Sequence, residues 1–309
     1  MRRMTRVIGI LIAVAGLVFV VRELVRNWDE IASTTSGADP AILVAGVVTG
    51  LASMALIGLG WRRCLSLLGV RPSMMRVFYG YFVGQLGKYV PGGIWPIVGR
   101  AEMARRDGVS ASIAYGSTAL SMGITYLAAI LTVAGAFLTG GASDGGLEWW
   151  PVLLLLPIGF LALHPVVVRW ALALLSRFRK RELEVLVPSW ATSVSLLIQH
   201  VPSWFGISTA TWLVASTLSP GAVSFRNIVL ATCLSWVVGF LAVGVPGGIG
   251  VREAVFVATA TTLPMGTAAA VSLIARILFI VVDLLGAGLV TVAVASRRRS
   301  ESGVSSAED

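Results

Sequence analysis

Five charged side chains lie within or beside long apolar stretches of this chain, where a charge needs a partner or a ligand. They are Lys88, Arg252, Glu253, Arg276 and Asp283. Lys88 is the only charge in the run from Val77 to Gly99, and Arg276 and Asp283 stand two helical turns apart on one face. An ionisable group in such surroundings is by default a candidate for function, because burying it unpaired is costly.

A Pro-Gly-Gly sequence occurs twice, as Pro91-Gly92-Gly93 and as Pro246-Gly247-Gly248, and the copies are 155 residues apart in a chain of 309. Proline removes an amide donor and glycine loosens the backbone, so each copy interrupts a helix. Each is followed by helix-competent sequence, so we expect a half-helix whose N-terminal amides attract anions. Lys88 precedes the first break and Arg252 follows the second, so a fixed cation accompanies both.

Simpler interpretations of these residues remain open. Each Pro-Gly-Gly can merely kink a packed helix, and the four charged residues from Arg252 to Asp283 can form a structural network that locks helices together. Arg100 and Glu102 are polar residues at the end of the apolar run that contains the first Pro-Gly-Gly. Arg100 aligns loosely with Arg252, since each is the arginine that follows a Pro-Gly-Gly break. The candidate binding residues are therefore Lys88, Pro91, Gly92, Gly93, Arg100, Glu102, Pro246, Gly247, Gly248, Arg252, Glu253, Arg276 and Asp283.

The composition is that of an integral membrane protein. Hydrophobic residues make up 56% of the chain and charged residues 13%, with a mean hydropathy of +0.87, far from a soluble domain. The net charge of +9 does not indicate nucleic acid as a partner, since the basic residues are not clustered with aromatics on a soluble module. The sequence contains no nucleotide-binding loop, metal-ligand cluster or Ser/His/Asp constellation. We therefore expect neither a cofactor nor an enzyme.

The apolar runs predict an all-α membrane protein with about six spanning helices and two re-entrant helical hairpins. The first repeat, residues 1–146, contains spans 7–25, 41–60 and 113–138 and the re-entrant segment 77–99. The second repeat, residues 147–299, contains spans 149–168, 190–218 and 268–295 and the re-entrant segment 228–263, and a disordered tail is predicted over 300–309. Most Lys and Arg residues fall on one side, which places both termini in the cytoplasm. The halves then have inverted topology, with a site at the midplane between them.

The motif residues resemble a known family. The motif Gly87-Lys88-Tyr89-Val90-Pro91-Gly92-Gly93, followed by Arg100-Ala101-Glu102, is paired with the motif that runs from Pro246 to Ala254. Together they resemble the lysylphosphatidylglycerol synthase transmembrane family of flippase-like proteins, over about residues 5–296. In fused members the membrane part moves aminoacylated phosphatidylglycerol and a cytoplasmic domain makes it. No segment here is long enough for that domain, so the resemblance implies lipid handling without lysyl transfer. Stand-alone members are associated with polyprenyl-linked sugars or cell-envelope lipids.

These observations lead to an expected function. We expect a translocase of the bacterial inner membrane that flips an anionic phospholipid or a polyprenyl-phosphate-linked lipid, with the phosphate held by Lys88, Arg252, Arg276 and the two half-helix ends. The alternative is a non-transporting subunit that presents a lipid to a cytoplasmic lipid-modifying or glycosyl transferase. A homo-oligomer is compatible with either. If Lys88 and Arg252 only bind substrate, changing either to glutamine leaves stability near normal.

Overall fold

The computed structural model describes residues 39–89, 95–138, 151, 153–167, 169–170, 187–221, 223–242, 248 and 250–305. Over these residues the chain is all-helical, with nine α-helices, one 3-10 helix and no strand. The helices are α1 (Pro40–Leu67), α2 (Met74–Gln85), the 3-10 helix (Leu86–Tyr89), α3 (Trp95–Arg106), α4 (Ala111–Leu138), α5 (Leu155–Ala162), α6 (Trp190–Leu218), α7 (Phe225–Leu241), α8 (Val251–Thr259) and α9 (Met265–Ser305).

Three of the described helices, α1, α4 and the part of α9 up to Arg297, are long and apolar enough to cross a membrane. Local signals explain the ends of α1. Its first turn contains Pro40 and is capped by the carboxylate of Asp39, which accepts a hydrogen bond of 2.8 Å from the amide of Ala41. After its last turn Gly69 adopts a φ of +87°, which lets the chain leave the helix. The apolar helices therefore point to a membrane protein, as the composition predicts.

The other predicted segments differ in how far the structure describes them. The predicted span 7–25 lies outside the described residues, and within 149–168 the structure describes a helix of 8 residues, α5. The predicted span 190–218 has the same bounds as α6, a helix of 29 residues that is not among the three found apolar enough to cross a membrane. The final helix continues to Ser305, into the tail predicted to be disordered. It passes through Gly303, a poor helix former, before it ends.

The first Pro-Gly-Gly segment lies between two helices, α2 and α3, that pack side by side. A Cβ on Gly84 would lie 2.8 Å from the backbone nitrogen of Arg100, and one on Gly87 would lie 2.8 Å from the backbone carbonyl carbon of Trp95. The later glycine, Gly87, thus approaches an earlier residue of α3 than Gly84 does. The two arms of this segment, α2 with the 3-10 helix and α3, therefore run antiparallel. The two helices form a helical hairpin, and the residues between them, 90–94, lie outside the described residues.

We expect Gly84→Val to separate the arms of this hairpin. The neighbour that a side chain at Gly84 would meet is the backbone of Arg100, which cannot move aside by changing rotamer. Overpacking of this kind costs about 1–3 kcal/mol, occasionally more. The melting temperature of the purified protein in detergent measures the effect. The matched control is Gly123→Val in α4, where a Cβ would meet no other atom within 4 Å. An equal shift for both variants would argue against the close packing of the hairpin.

The second Pro-Gly-Gly segment also joins two helices packed side by side, α7 and α8. The side-chain amide of Asn227, at the start of α7, donates a 2.9 Å hydrogen bond to the carbonyl of Thr259 at the end of α8. At the opposite end, a Cβ on Gly248 would lie 2.9 Å from the Cα of Gly239. These arms therefore run antiparallel too. Gly248 and Gly250 have φ values of +71° and +77°, which glycine adopts without strain.

The order long helix, hairpin, long helix occurs twice along the chain, as α1 to α4 and as α6 to α9. The leading long helices, α1 and α6, pack closely through small residues. A Cβ on Gly60 would overlap the ring of His200, and one on Gly206 would overlap the hydroxyl of Ser53. In addition, α2 of the first hairpin packs on α9, and α7 of the second packs on α4. Each hairpin is thus held against a long helix of the other half.

Candidate functional site

A cavity of about 350 Å³ lies where both hairpins meet the long helices. Its lining comes from α1, α4, α6 and α9 and from both hairpins. Four basic residues line it: Lys88, Arg100, Arg252 and Arg276. Most of the remaining wall is apolar or aromatic, which is the usual character of a ligand site. The sequence named these four residues as candidates, and the tertiary structure brings them to one cavity.

Lys88 is paired with Asp283. Its Nζ lies 2.5 Å from Oδ2 of the aspartate, and the hydroxyl of Tyr89 donates to the same oxygen at 2.5 Å. Asp283 is fully buried, whereas the Lys88 side chain keeps 16% of its surface exposed. The other oxygen, Oδ1, has no hydrogen-bond partner among the described residues. The pair fastens the 3-10 helix of the first hairpin to α9, a contact that the sequence analysis did not anticipate.

Trp236 in α7 is the point at which cations from the two hairpins meet. The guanidinium carbon of Arg252 lies 3.9 Å from the centre of the indole, and Nζ of Lys88 lies 5.5 Å from it. Both distances allow an attraction between the cation and the ring face. The indole itself is held edge-on by Trp204 and Phe279, with ring centroids 5.8 and 5.3 Å away. The first and second hairpins therefore contribute to a single cationic surface.

Arg100 repeats the arrangement of Arg252 in the first hairpin. It is 3% exposed, its guanidinium carbon lies 4.3 Å from the ring centre of Tyr81, and Nη2 donates to the side-chain oxygen of Gln85. Arg100 packs on Gly84, as Arg252 packs on Gly239. No described carboxylate lies within ion-pair distance of Arg100 or Arg252.

The aromatic supports were missed by the sequence analysis, although a signal was present. Tyr81 and Trp236 are 155 residues apart, and so are Gly84 and Gly239. This is the same offset that relates the two Pro-Gly-Gly sequences. In each hairpin, the first helix therefore has an aromatic residue followed three positions later by a glycine. The arginine of that hairpin packs on both residues.

The carboxylate of Glu253 accepts two hydrogen bonds in the second hairpin. One carboxylate oxygen accepts a 2.8 Å hydrogen bond from Arg276. The other accepts a 2.6 Å hydrogen bond from the amide of Gly250, at the start of α8. The amide of Gly250 at the N-terminus of this half-helix is thus already hydrogen-bonded to the chain's own carboxylate. Arg276 also has its counter-charge in Glu253 rather than in Asp283.

The remaining candidates lie in different places. Glu102 does not line the cavity; its carboxylate binds Arg105 at 3.0 Å. The reason is helical geometry, since two residues along α3 the side chain points to nearly the opposite face from that of Arg100. Gly248 lines the cavity. Five other candidates lie outside the described residues, namely Pro91, Gly92, Gly93, Pro246 and Gly247.

Comparisons with known proteins match this sequence to a relative and to a family model. The chain is 31% identical over 151 residues to "Glycosyltransferase AglD" of Haloferax volcanii, a match that covers 48% of this chain and 23% of that protein. The chain thus spans about a quarter of that relative. Residues 6–287 match the family model of the lysylphosphatidylglycerol synthase TM region. Since this match covers nearly the whole sequence, the chain belongs to the family of the lysylphosphatidylglycerol synthase TM region.

Proposed function

We propose that this protein translocates an anionic lipid, a phospholipid or a polyprenyl-phosphate-linked lipid, across the bacterial inner membrane, and that it is not an enzyme. The observation that carries the proposal is the meeting of Lys88 and Arg252 on Trp236, in the wall of one cavity. A phosphate that enters this cavity exchanges its water for charged donors from both hairpins. This exchange lowers the free-energy cost of moving the charge through an apolar region.

The size of the cavity supports a head-group site rather than a site for a whole lipid. A volume of about 350 Å³ is near the lower end of the range of about 300–1,000 Å³ for small-ligand sites. We infer that the phosphate-bearing head enters the cavity while the apolar tails stay in the bilayer. Aromatic and aliphatic walls fit this division, since they exclude water around the charged part and strengthen its interactions there.

The short hairpin helices support a re-entrant arrangement. Helix α3 has 12 residues and α7 has 17, about 18 Å and about 26 Å at 1.5 Å per residue, against about 30 Å for the hydrocarbon core. We propose that each hairpin enters the membrane and returns to the same side, and that the two halves are inverted repeats with both termini in the cytoplasm. The cavity between the hairpins then lies at membrane depth, where such transporters hold their substrates.

Single cysteines test this topology, with the two native cysteines replaced. We expect cysteines at Ser73 and Asp107, at the two ends of the first hairpin, to be labelled from the cytoplasm only. Cysteines at Ser143 and Ser219 should be labelled from outside only. The measurement is labelling by a membrane-impermeant maleimide in intact cells and in inverted vesicles. Labelling of positions 73 and 107 from opposite sides would exclude a re-entrant first hairpin.

A second candidate function rests on the name of the relative, a glycosyltransferase that matches about half of this chain. In this alternative the protein does not transport. It holds a lipid phosphate in the same cavity and presents it to a cytoplasmic lipid-modifying or glycosyl transferase.

Transport by the purified protein separates the two functions. Vesicles that contain this protein alone receive fluorescent lipids with identical tails and either an anionic phosphomonoester or a zwitterionic phosphocholine head, and an impermeant quencher reports the outer leaflet. We expect the anionic lipid to equilibrate faster than in protein-free vesicles and the zwitterionic lipid to remain near the protein-free rate. Rates equal to the protein-free rate for the anionic lipid would favour the presenting subunit. Equal acceleration of both lipids would contradict an anion site.

A further inference from the structure

Among the described residues, the basic side chains of the cavity outnumber the carboxylates that pair with them. Its four cations face two carboxylates, because Lys88 is paired with Asp283 and Arg276 with Glu253. Arg100 and Arg252 have no such partner among the described residues; their contacts are with neutral groups, the rings of Tyr81 and Trp236. Neither connecting segment, 90–94 or 243–247, contains a charged residue.

Two arginines in a mostly apolar cavity, with no carboxylate partner among the described residues, call for a ligand of matching charge. Arg100 is almost fully buried, and its Nε has no hydrogen-bond partner among the described groups. A guanidinium in these surroundings gains most from an anion that can accept several of its donors at once, as phosphate oxygens do. Because Arg100 comes from the first hairpin and Arg252 from the second, the two charges approach the ligand from different arms.

We infer that the ligand of this cavity carries two negative charges: it is a lipid with a phosphomonoester or diphosphate head, rather than a phosphodiester with one charge. This inference rests on the proposed function and narrows its substrate class. A phosphodiester would leave one arginine without a counter-charge in a poorly solvated site, whereas a doubly charged head neutralises both.

The test compares two lipids that differ by one methyl group and one charge. Dioleoyl phosphatidic acid has a phosphomonoester, which is mostly doubly ionised at pH 8 in a cationic site, and dioleoyl phosphatidylmethanol is its singly charged methyl ester. Binding of each to the purified protein is measured by native mass spectrometry in a zwitterionic detergent at pH 8. We expect phosphatidic acid to bind about tenfold more tightly or better, since a second charge-assisted contact is formed. Equal affinities would overturn the inference.

Variants locate the preference at the unpaired arginines. Arg100→Gln removes one of the two charges, so its preference for phosphatidic acid should fall to near parity, while Arg100→Lys should retain most of it. The control is Arg105→Gln, which removes an exposed arginine bound to Glu102 and should leave the preference unchanged. An unchanged preference in Arg100→Gln would overturn the inference, and so would its loss in the control.

The vesicle assay keeps this inference distinct from the proposed function. Selective binding of phosphatidic acid without transport would refute translocation and leave the ligand class standing. Equal transport of the two lipids would support translocation and refute the ligand class. If Arg100→Gln does not yield folded protein, the comparison of the two lipids on the unmodified protein and on Arg100→Lys still decides the matter.

Discussion

Replacing Lys88 by glutamine is expected to destabilise the protein by about 3–5 kcal/mol, because it leaves a fully buried carboxylate without its counter-charge. Asp283→Asn should be as damaging, since it strands the Lys88 ammonium in the same place. This differs from the expectation drawn from sequence, in which Lys88 only binds substrate and its loss leaves the fold intact. The double change, Lys88→Gln with Asp283→Asn, removes both charges and should recover most of the lost stability.

Melting temperatures of the four proteins in detergent measure this coupling. A matched control cycle uses Arg276→Gln with Asp283→Asn. These two residues share no partner, because Arg276 binds Glu253, so their effects should add. Additive losses in the Lys88 cycle would show that the ion pair does not form, and strong coupling in the control cycle would place Asp283 against Arg276 instead.

The same double variant separates stability from function. It regains the fold but lacks the cation in the 3-10 helix of the first hairpin, so transport of an anionic lipid should remain at least about tenfold below that of the unmodified protein. A lost hydrogen bond to a charged group, worth about 1.5–3 kcal/mol, accounts for that magnitude. Recovery of transport together with stability would mean that Lys88 is structural only.

Arg252→Gln is expected to reduce transport of an anionic lipid by about tenfold or more while changing the melting temperature little. The guanidinium contacts the face of Trp236 and lines the cavity, and no described carboxylate depends on it for charge. Its removal therefore strands no buried acid, in contrast to Lys88→Gln. Arg252→Lys should also be impaired, since lysine keeps the charge but loses the planar fork and much of the stacking on the indole.

Initial transport rates in reconstituted vesicles, normalised to the amount of folded protein, measure this effect. Arg105→Gln is the control because the side chain of Arg105 is exposed and lies outside the cavity lining. Normal transport by Arg252→Gln would remove the second hairpin from the proposed phosphate site. A large fall in its melting temperature would instead assign Arg252 to the structure of the hairpin.

The sequence was informative where local signals suffice. Long apolar runs predicted the three described helices that are long and apolar enough to cross a membrane. Length and hydropathy can both be read from neighbouring residues. The spacing of Pro91 and Pro246 gave the two interruptions, and the structure shows helical hairpins around them. Isolated charges in apolar sequence identified Lys88, Arg252 and Arg276 as candidates, and the loose alignment with Arg252 added Arg100. All four line one cavity.

Charge pairing could not be derived in this way. Arg276 and Asp283 share one face of α9, so the sequence suggested a common environment for them. In the structure Arg276 pairs with Glu253 of the second hairpin, whereas Asp283 pairs with Lys88 of the first. Each residue pairs with the hairpin that packs beside it on α9.

What the sequence by itself determined is the class of protein, the places where helices break and the residue types available to hold an anion, because each of these follows from a few neighbouring residues. Only the tertiary structure decided which charges are neutralised within the protein and which are left for a ligand. That outcome depends on contacts between residues far apart in the chain, such as Lys88 with Asp283. Hairpin packing on the long helices sets those contacts, and it leaves Arg100 and Arg252 on aromatic rings without a described carboxylate.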